Sequence, residues 1–152
     1  MKLLIAALLS MTPVGELRAG IPYAIAAGAP VWLALFVCVL ANIAIIPVVF
    51  FFLEIIHSKL LHTKHYRAAF DYFMERTRKR AHEKVEKYGY AGLFLLTAIP
   101  FPFTGAYTAT LAAWFFGMKK WKSFFVISLG VFTAGLIMLS VSYGGLTLFG
   151  FI

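Results

Sequence analysis

The sequence predicts an all-α integral membrane protein. One unit, a re-entrant helical hairpin followed by a transmembrane helix, is expected to occur twice, as an inverted repeat. Three observations carry that expectation. Only 13% of the 152 residues are charged, about half the share a soluble domain uses to cover its surface. Ala19 to Leu53, Tyr88 to Met118 and Ser123 to Ile152 contain no Asp, Glu, Lys, Arg or His, and each exceeds the roughly 20 apolar residues that span a bilayer. Finally, Leu8-Leu9-Ser10-Met11-Thr12-Pro13 recurs as Leu95-Leu96-Thr97-Ala98-Ile99-Pro100, and a similar order of features follows each copy.

The elements follow in order along a single membrane domain, residues 1–152. As helix, Leu3 to Met11 would be roughly 14 Å long, half of a hydrocarbon core about 30 Å thick. Pro13 ends it, and Gly15, Gly20 and Pro22 are expected to keep the following backbone irregular. Reading straight on would put Glu16, Arg18 and broken backbone into lipid, at several kcal/mol per unsatisfied group. The economical solution is a re-entrant hairpin over residues 3–29, which completes the first repeat (1–53) with a transmembrane helix over 31–53. That helix carries Asn42 and Pro47.

From 57 to 88 the apolar Tyr66, Phe70, Phe73, Val85 and Tyr88 recur at helical spacing. Arg67, Glu75, Arg78, Lys79, His82 and Glu86 take the other side. This predicts an amphipathic helix on the membrane surface. The second repeat (90–152) has a hairpin over 90–116, turning at Pro100-Phe101-Pro102-Phe103-Thr104-Gly105, and a transmembrane helix over 123–143. The tail from Gly144 is expected to fray or to lie near the interface.

Net charge is +8, concentrated between Glu54 and Lys87 and at Lys119, Lys120 and Lys122. Basic residues gather in cytoplasmic loops, so nucleic acid is not expected as a partner. With segment 57–88 in the cytoplasm of a multi-pass cell-membrane protein, both basic clusters fall inside and the two units point in opposite directions. Inverted repeats of this kind hold their sites between broken helices. The apolar stretch Leu3 to Leu9 resembles a signal peptide, but Pro13, Gly15, Glu16 and Arg18 make a poor cleavage context, so it is read as part of the mature chain. The one cysteine, Cys38, excludes an intrachain disulfide.

Glu16 and Arg18 head the candidate site, as substrate- or proton-binding groups. Burial disfavours an ionised carboxylate and a neighbouring guanidinium favours it, which suits a group that exchanges a proton or cation. Arg18 suits an anionic substrate group. The breaks at Pro13, Gly15, Pro22, Pro100, Pro102 and Gly105 free backbone N–H and C=O groups that can bind ions or headgroups, and Thr104 adds a hydroxyl. Asn42, in mid-span, needs a hydrogen-bond partner. His57, His62, His65 and His82 do not share one helical face, so no metal is expected. Neither a cofactor nor an enzymatic constellation is evident.

At Pro13-Val14-Gly15-Glu16-Leu17-Arg18-Ala19-Gly20-Ile21-Pro22 and Pro100-Phe101-Pro102-Phe103-Thr104-Gly105-Ala106, the chain resembles the small multidrug export protein family. That family is grouped with the larger DedA-like proteins, which carry paired re-entrant loops. The resemblance implies transport or lipid movement, with DedA relatives linked to proton-dependent flipping of polyprenyl-phosphate carriers. Glu16 matches the acidic residue of the first DedA-like loop, while the arginine usual in the second loop is missing here.

The expected activity is therefore proton-coupled transport or flipping of an anionic or amphipathic substrate. Energy-independent phospholipid scrambling and a non-transporting scaffold are the alternatives. Expected partners are membrane lipids, protons or cations as coupling ion, and further copies of the chain in a homo-oligomer.

Overall fold

The computed structural model describes residues 1–56, 88–99 and 104–148, with single helical positions at 68, 71, 72 and 75. The amphipathic helix predicted over 57–88 falls almost wholly outside these residues, as do His57, His62, His65, His82, Pro100 and Pro102. The described residues form six α-helices: α1 (Lys2–Ser10), α2 (Glu16–Ala26), α3 (Val31–Phe51), α4 (Tyr90–Ala98), α5 (Ala106–Phe115) and α6 (Lys120–Leu148). A wide π turn, Phe52–Ile56, extends α3.

Two of these helices, counted as Val31–Ile55 and Lys120–Gly145, are long and apolar enough to cross a membrane. They run antiparallel. Glu54 near the end of α3 forms an ion pair with Lys120 at the start of α6, and Gly135 lies against Leu35 and Val39. Their exposed residues are the ones lipid would meet: Trp32, Phe36 and Leu40 along α3, and Trp121, Phe125 and Leu129 along α6. Trp32 and Trp121 are exposed at the starts of their helices, where indole rings suit a membrane interface, whereas Trp114 packs against the core.

The four shorter helices form two pairs that fold back on themselves. In the first, Gly28 lies beside the Lys2 ammonium, so α2 returns to the level at which α1 began. In the second, the Lys119 N–H donates to the Tyr90 hydroxyl at 3.2 Å, which brings the end of α5 back to the start of α4. Residues 27–30 lead from the first pair into α3, and residues 116–119 lead from the second into α6. The pairs are therefore anchored at opposite ends of the antiparallel α3 and α6. Each carries a hydroxyl bonded back to the carbonyl four residues earlier: Ser10 to Ala6 at 2.9 Å and Thr97 to Leu93 at 2.8 Å. These two bonds are related by the same spacing as the sequence motif.

Two expectations are corrected. Gly20 and Pro22 do not keep the chain irregular after Pro13; both lie inside α2. The lack of a side chain at Gly20 serves packing instead. A Cβ there would collide with the Ser10 hydroxyl and come within 2.7 Å of the Ala6 carbonyl oxygen, so this glycine sets the closeness of α1 and α2. The second long helix also overruns its predicted bounds of 123–143: α6 begins at Lys120 and continues through Gly144 and Gly145 to Leu148. In an apolar setting the helix is the cheapest way to satisfy each backbone group, which offsets the low helix propensity of glycine.

Replacing Gly20 by alanine is expected to lower stability by about 1–3 kcal/mol through overpacking of that contact. Thermal unfolding in detergent, followed by far-UV circular dichroism, measures it. An unchanged midpoint would show that α1 and α2 do not approach this closely.

Candidate functional site

The site lies where the turns of the two helix pairs meet. After α1 the chain turns over residues 11–15. Met11 donates its N–H back to Ala7 and Leu8, and the Thr12 hydroxyl donates to the Leu9 carbonyl at 2.7 Å. The Gly15 N–H donates to the same hydroxyl at 3.1 Å. Pro13 sits in this turn, unable to donate and exposed. Glu16, which follows the turn, has φ 43°, a left-handed conformation that costs an L-residue roughly 1–2 kcal/mol. Non-glycine residues are held that way where the surroundings over-determine them, commonly at functional sites.

The left-handed step aims the Glu16 side chain at the second pair. Its carboxylate lies directly over the Cα of Gly105, where a Cβ would overlap both carboxylate oxygens. Gly105 itself has φ 145° and occupies the position just before α5. Two constraints thus exclude any side chain at this residue: its backbone conformation and the carboxylate above it.

Glu16 also accepts a hydrogen bond from the backbone N–H of Tyr107, in the first turn of α5. Gly105, the residue just before α5, has no side chain with which to cap that helix. The carboxylate from the other pair thus caps the first turn of α5, at the helix end that favours negative charge.

The other contacts cross the same junction. Arg18 Nη2 donates to the Thr104 carbonyl oxygen at 3.2 Å and to its hydroxyl at 3.4 Å. The Thr104 hydroxyl in turn donates to the Ile99 carbonyl at 3.0 Å. The Tyr107 hydroxyl donates to the Met11 carbonyl at the end of α1. Next to it, the Ser10 carbonyl accepts from the Asn42 amide at 2.9 Å. Asn42 is 1% exposed, and its amide N–H group holds the broken end of α1 from the middle of α3.

A cavity of about 10 Å³ adjoins this network, bounded by Glu16, Arg18, Thr97, Thr104 and Gly105 and closed on the α6 side by Val131 and Met138. That volume holds about one water-sized group. The closed junction therefore has room for a proton carrier or small ion but not for a lipid headgroup.

Of the residues singled out from sequence, Glu16, Arg18, Thr104 and Gly105 meet here. Pro13 and Gly15 shape the turn behind Glu16, and Asn42 braces α1 from the opposite side. Pro22 lies in the second half of α2 and is not part of the junction. Sequence reasoning missed the roles of Tyr107 and Thr97. Thr97 had a signal, since it occupies the repeat position of Ser10; Tyr107 had none beyond its place at the start of a short helix.

Asn42→Ala is expected to cost about 1 kcal/mol, because it strands a buried carbonyl, and membrane hydrogen bonds fall at the low end of the usual range. The detergent melting midpoint reads this directly, and Asn42→Gln should not restore it, its amide sitting one methylene too far out.

No curated protein and no solved structure matches the chain. A family model described as "Putative small multi-drug export protein" matches residues 16–137, a range that begins at Glu16 and takes in Arg18, Thr104 and Gly105. With most of its length covered by that match, and with two apolar helices able to cross a bilayer, the chain is a membrane protein belonging to the small multidrug export protein family.

Proposed function

We propose that the protein is a proton-coupled membrane transporter or flippase of DedA-like type, acting on an anionic or amphipathic substrate such as a polyprenyl-phosphate lipid carrier. The observation that carries this reading is the Glu16 carboxylate of one helix pair capping α5 of the other, over Gly105. In this reading the two pairs are re-entrant hairpins related as an inverted repeat. Their anchoring at opposite ends of α3 and α6, and the matching Ser10 and Thr97 hydrogen bonds, support it.

The chemistry follows from the contacts. An ionised Glu16 locks the junction, because its negative charge suits the N-terminus of α5 and lies beside the Arg18 guanidinium. Protonation removes that charge and weakens both interactions. The first hairpin can then part from the second, and Arg18 can exchange the Thr104 oxygens for a substrate phosphate or carboxylate. Loss of the proton on the other side restores the cap and closes the path. A cycle of this kind needs the closed cavity to open, because its volume admits no headgroup. Segment 57–88 is cytoplasmic in this scheme, and the Glu54–Lys120 pair supports it by bringing the chain entering that segment beside the basic start of α6.

Reconstitution into liposomes with labelled polyprenyl phosphate and an imposed pH gradient tests the activity. Inward and outward flux should differ by about tenfold per unit of gradient, if one proton moves with each substrate. Flux indifferent to the gradient would remove proton coupling and favour scrambling. Glu16→Gln separates the cap from the proton, since the amide oxygen still accepts from Tyr107 but does not titrate. This variant should melt within about 1 kcal/mol of wild type and lose the gradient dependence; coupled transport by it would exclude Glu16 as the proton site.

Topology is read by single cysteines at Ala26 and Lys119 in a Cys38→Ala background, labelled in sealed vesicles of one orientation. The two positions should label from opposite faces. Labelling of both from one face would overturn the opposed hairpins.

A further inference from the structure

A second cavity, away from the hairpin junction, opens between the end of α3 and the start of α6. It measures about 290 Å³ and is lined by Pro47, Phe50 and Phe51 from α3 and by Trp121 and Phe124 from α6, with Glu54 and Lys120 at its polar end. That size stands at the lower bound of sites for small organic ligands, roughly 300 Å³. The wall is apolar and aromatic, and Phe51 and Trp121 are exposed on its outer edge. The cleft therefore opens sideways, onto the surface that lipid covers.

The local helix geometry is unusual at this place. Pro47 withdraws one backbone donor from α3, and the helix widens into the π turn at Phe52–Ile56 that contains Glu54. Wide turns of this type occur frequently at functional sites. The turn carries Glu54 to the mouth of the cleft, where its carboxylate pairs with the Lys120 ammonium. Both side chains keep substantial exposure, 38% and 59%, so either can exchange its partner for a ligand group.

We propose that this cleft binds one zwitterionic phospholipid, with an acyl chain between the aromatic walls, its ammonium on Glu54 and its phosphate on Lys120. Charge matching selects that occupant. An anionic amphiphile pairing with Lys120 leaves Glu54 without its cation, and a cationic one pairing with Glu54 leaves Lys120 without its anion. Losing one partner forfeits the modest attraction of an exposed ion pair. A zwitterion replaces both partners together and leaves every charge matched. The cleft shares no lining residue with the Glu16 junction, so the binding stands or falls independently of the transport cycle.

The test is quenching of Trp121 by lipids brominated on the acyl chain, titrated into the full-length protein in a neutral maltoside detergent. The Trp121 signal is isolated as the difference between wild type and Trp121→Phe. Phosphatidylethanolamine and phosphatidylcholine are compared with phosphatidylglycerol and a brominated single-chain trimethylammonium amphiphile. The zwitterionic lipids should quench at about two- to fivefold lower concentration, the range set by an exposed ion pair. The better of the two tells whether hydrogen bonding to a primary ammonium or aromatic contact with a quaternary one dominates.

Glu54→Gln should shift the preference to phosphatidylglycerol and Lys120→Met to the cationic amphiphile, each with the helical circular dichroism of wild type. Equal quenching by all four compounds would reduce the cleft to ordinary lipid contact and overturn the proposal. So would an anionic or cationic preference in the wild type, or a zwitterion preference unchanged in both variants.

Discussion

Everything in this fold turns on one constraint: a helix that stops inside an apolar layer leaves backbone N–H and C=O groups that water cannot reach. Four short helices each have an end at the junction of the two pairs, and the protein answers largely by making those ends face each other. The first turn supplies a carboxylate to the N-terminus of α5. The second supplies the Tyr107 hydroxyl to the C-terminal carbonyl at Met11. Arg18 then crosses to Thr104, and Asn42 reaches in from α3 to the Ser10 carbonyl. These bonds cross from one pair to the other, so the pairs stabilise each other.

This reciprocity is what the proposed transport cycle would use. A cap made by an uncharged side chain would be permanent, whereas one made by a carboxylate depends on whether that group carries its charge. The left-handed backbone at Glu16 shows how firmly the placement is imposed, because an L-residue adopts it only against an intrinsic cost. Gly105 completes the arrangement by leaving the carboxylate room to sit against the start of α5. Charge thus comes from the first unit, and backbone groups and hydroxyls come from the second. In the transport cycle proposed above, the interaction that joins the two pairs is the one that a proton would release.

Much of this was legible beforehand. The charge-free stretches located both long helices, and the two Pro-terminated motifs located both pairs of short ones. Glu16 and Arg18 stood out as charges beside broken backbone, and Asn42 as a polar group in need of a partner. The errors have a common origin. Gly20, Pro22, Gly144 and Gly145 were read as breakers by habits learned in water, where an interrupted helix can turn to solvent. In an apolar setting that outlet is closed, and the helices run on through them. Gly20 is needed for the close approach of α1, a reason that lies in another helix and leaves no trace in its own neighbours in sequence.

By itself, then, the sequence determined the class of protein, the positions of its helices and the residues that could carry charge within them. Those properties are local: hydropathy, proline placement and charge are written residue by residue. Only the tertiary structure decided that Glu16 caps α5, that Tyr107 reaches Met11, and that Glu54 meets Lys120 at the mouth of an aromatic cleft. Each of these joins groups more than 60 residues apart in the chain, and no local periodicity encodes which broken end will find which partner. That choice is made by packing, when the antiparallel α3 and α6 bring two pairs of short helices together from opposite ends.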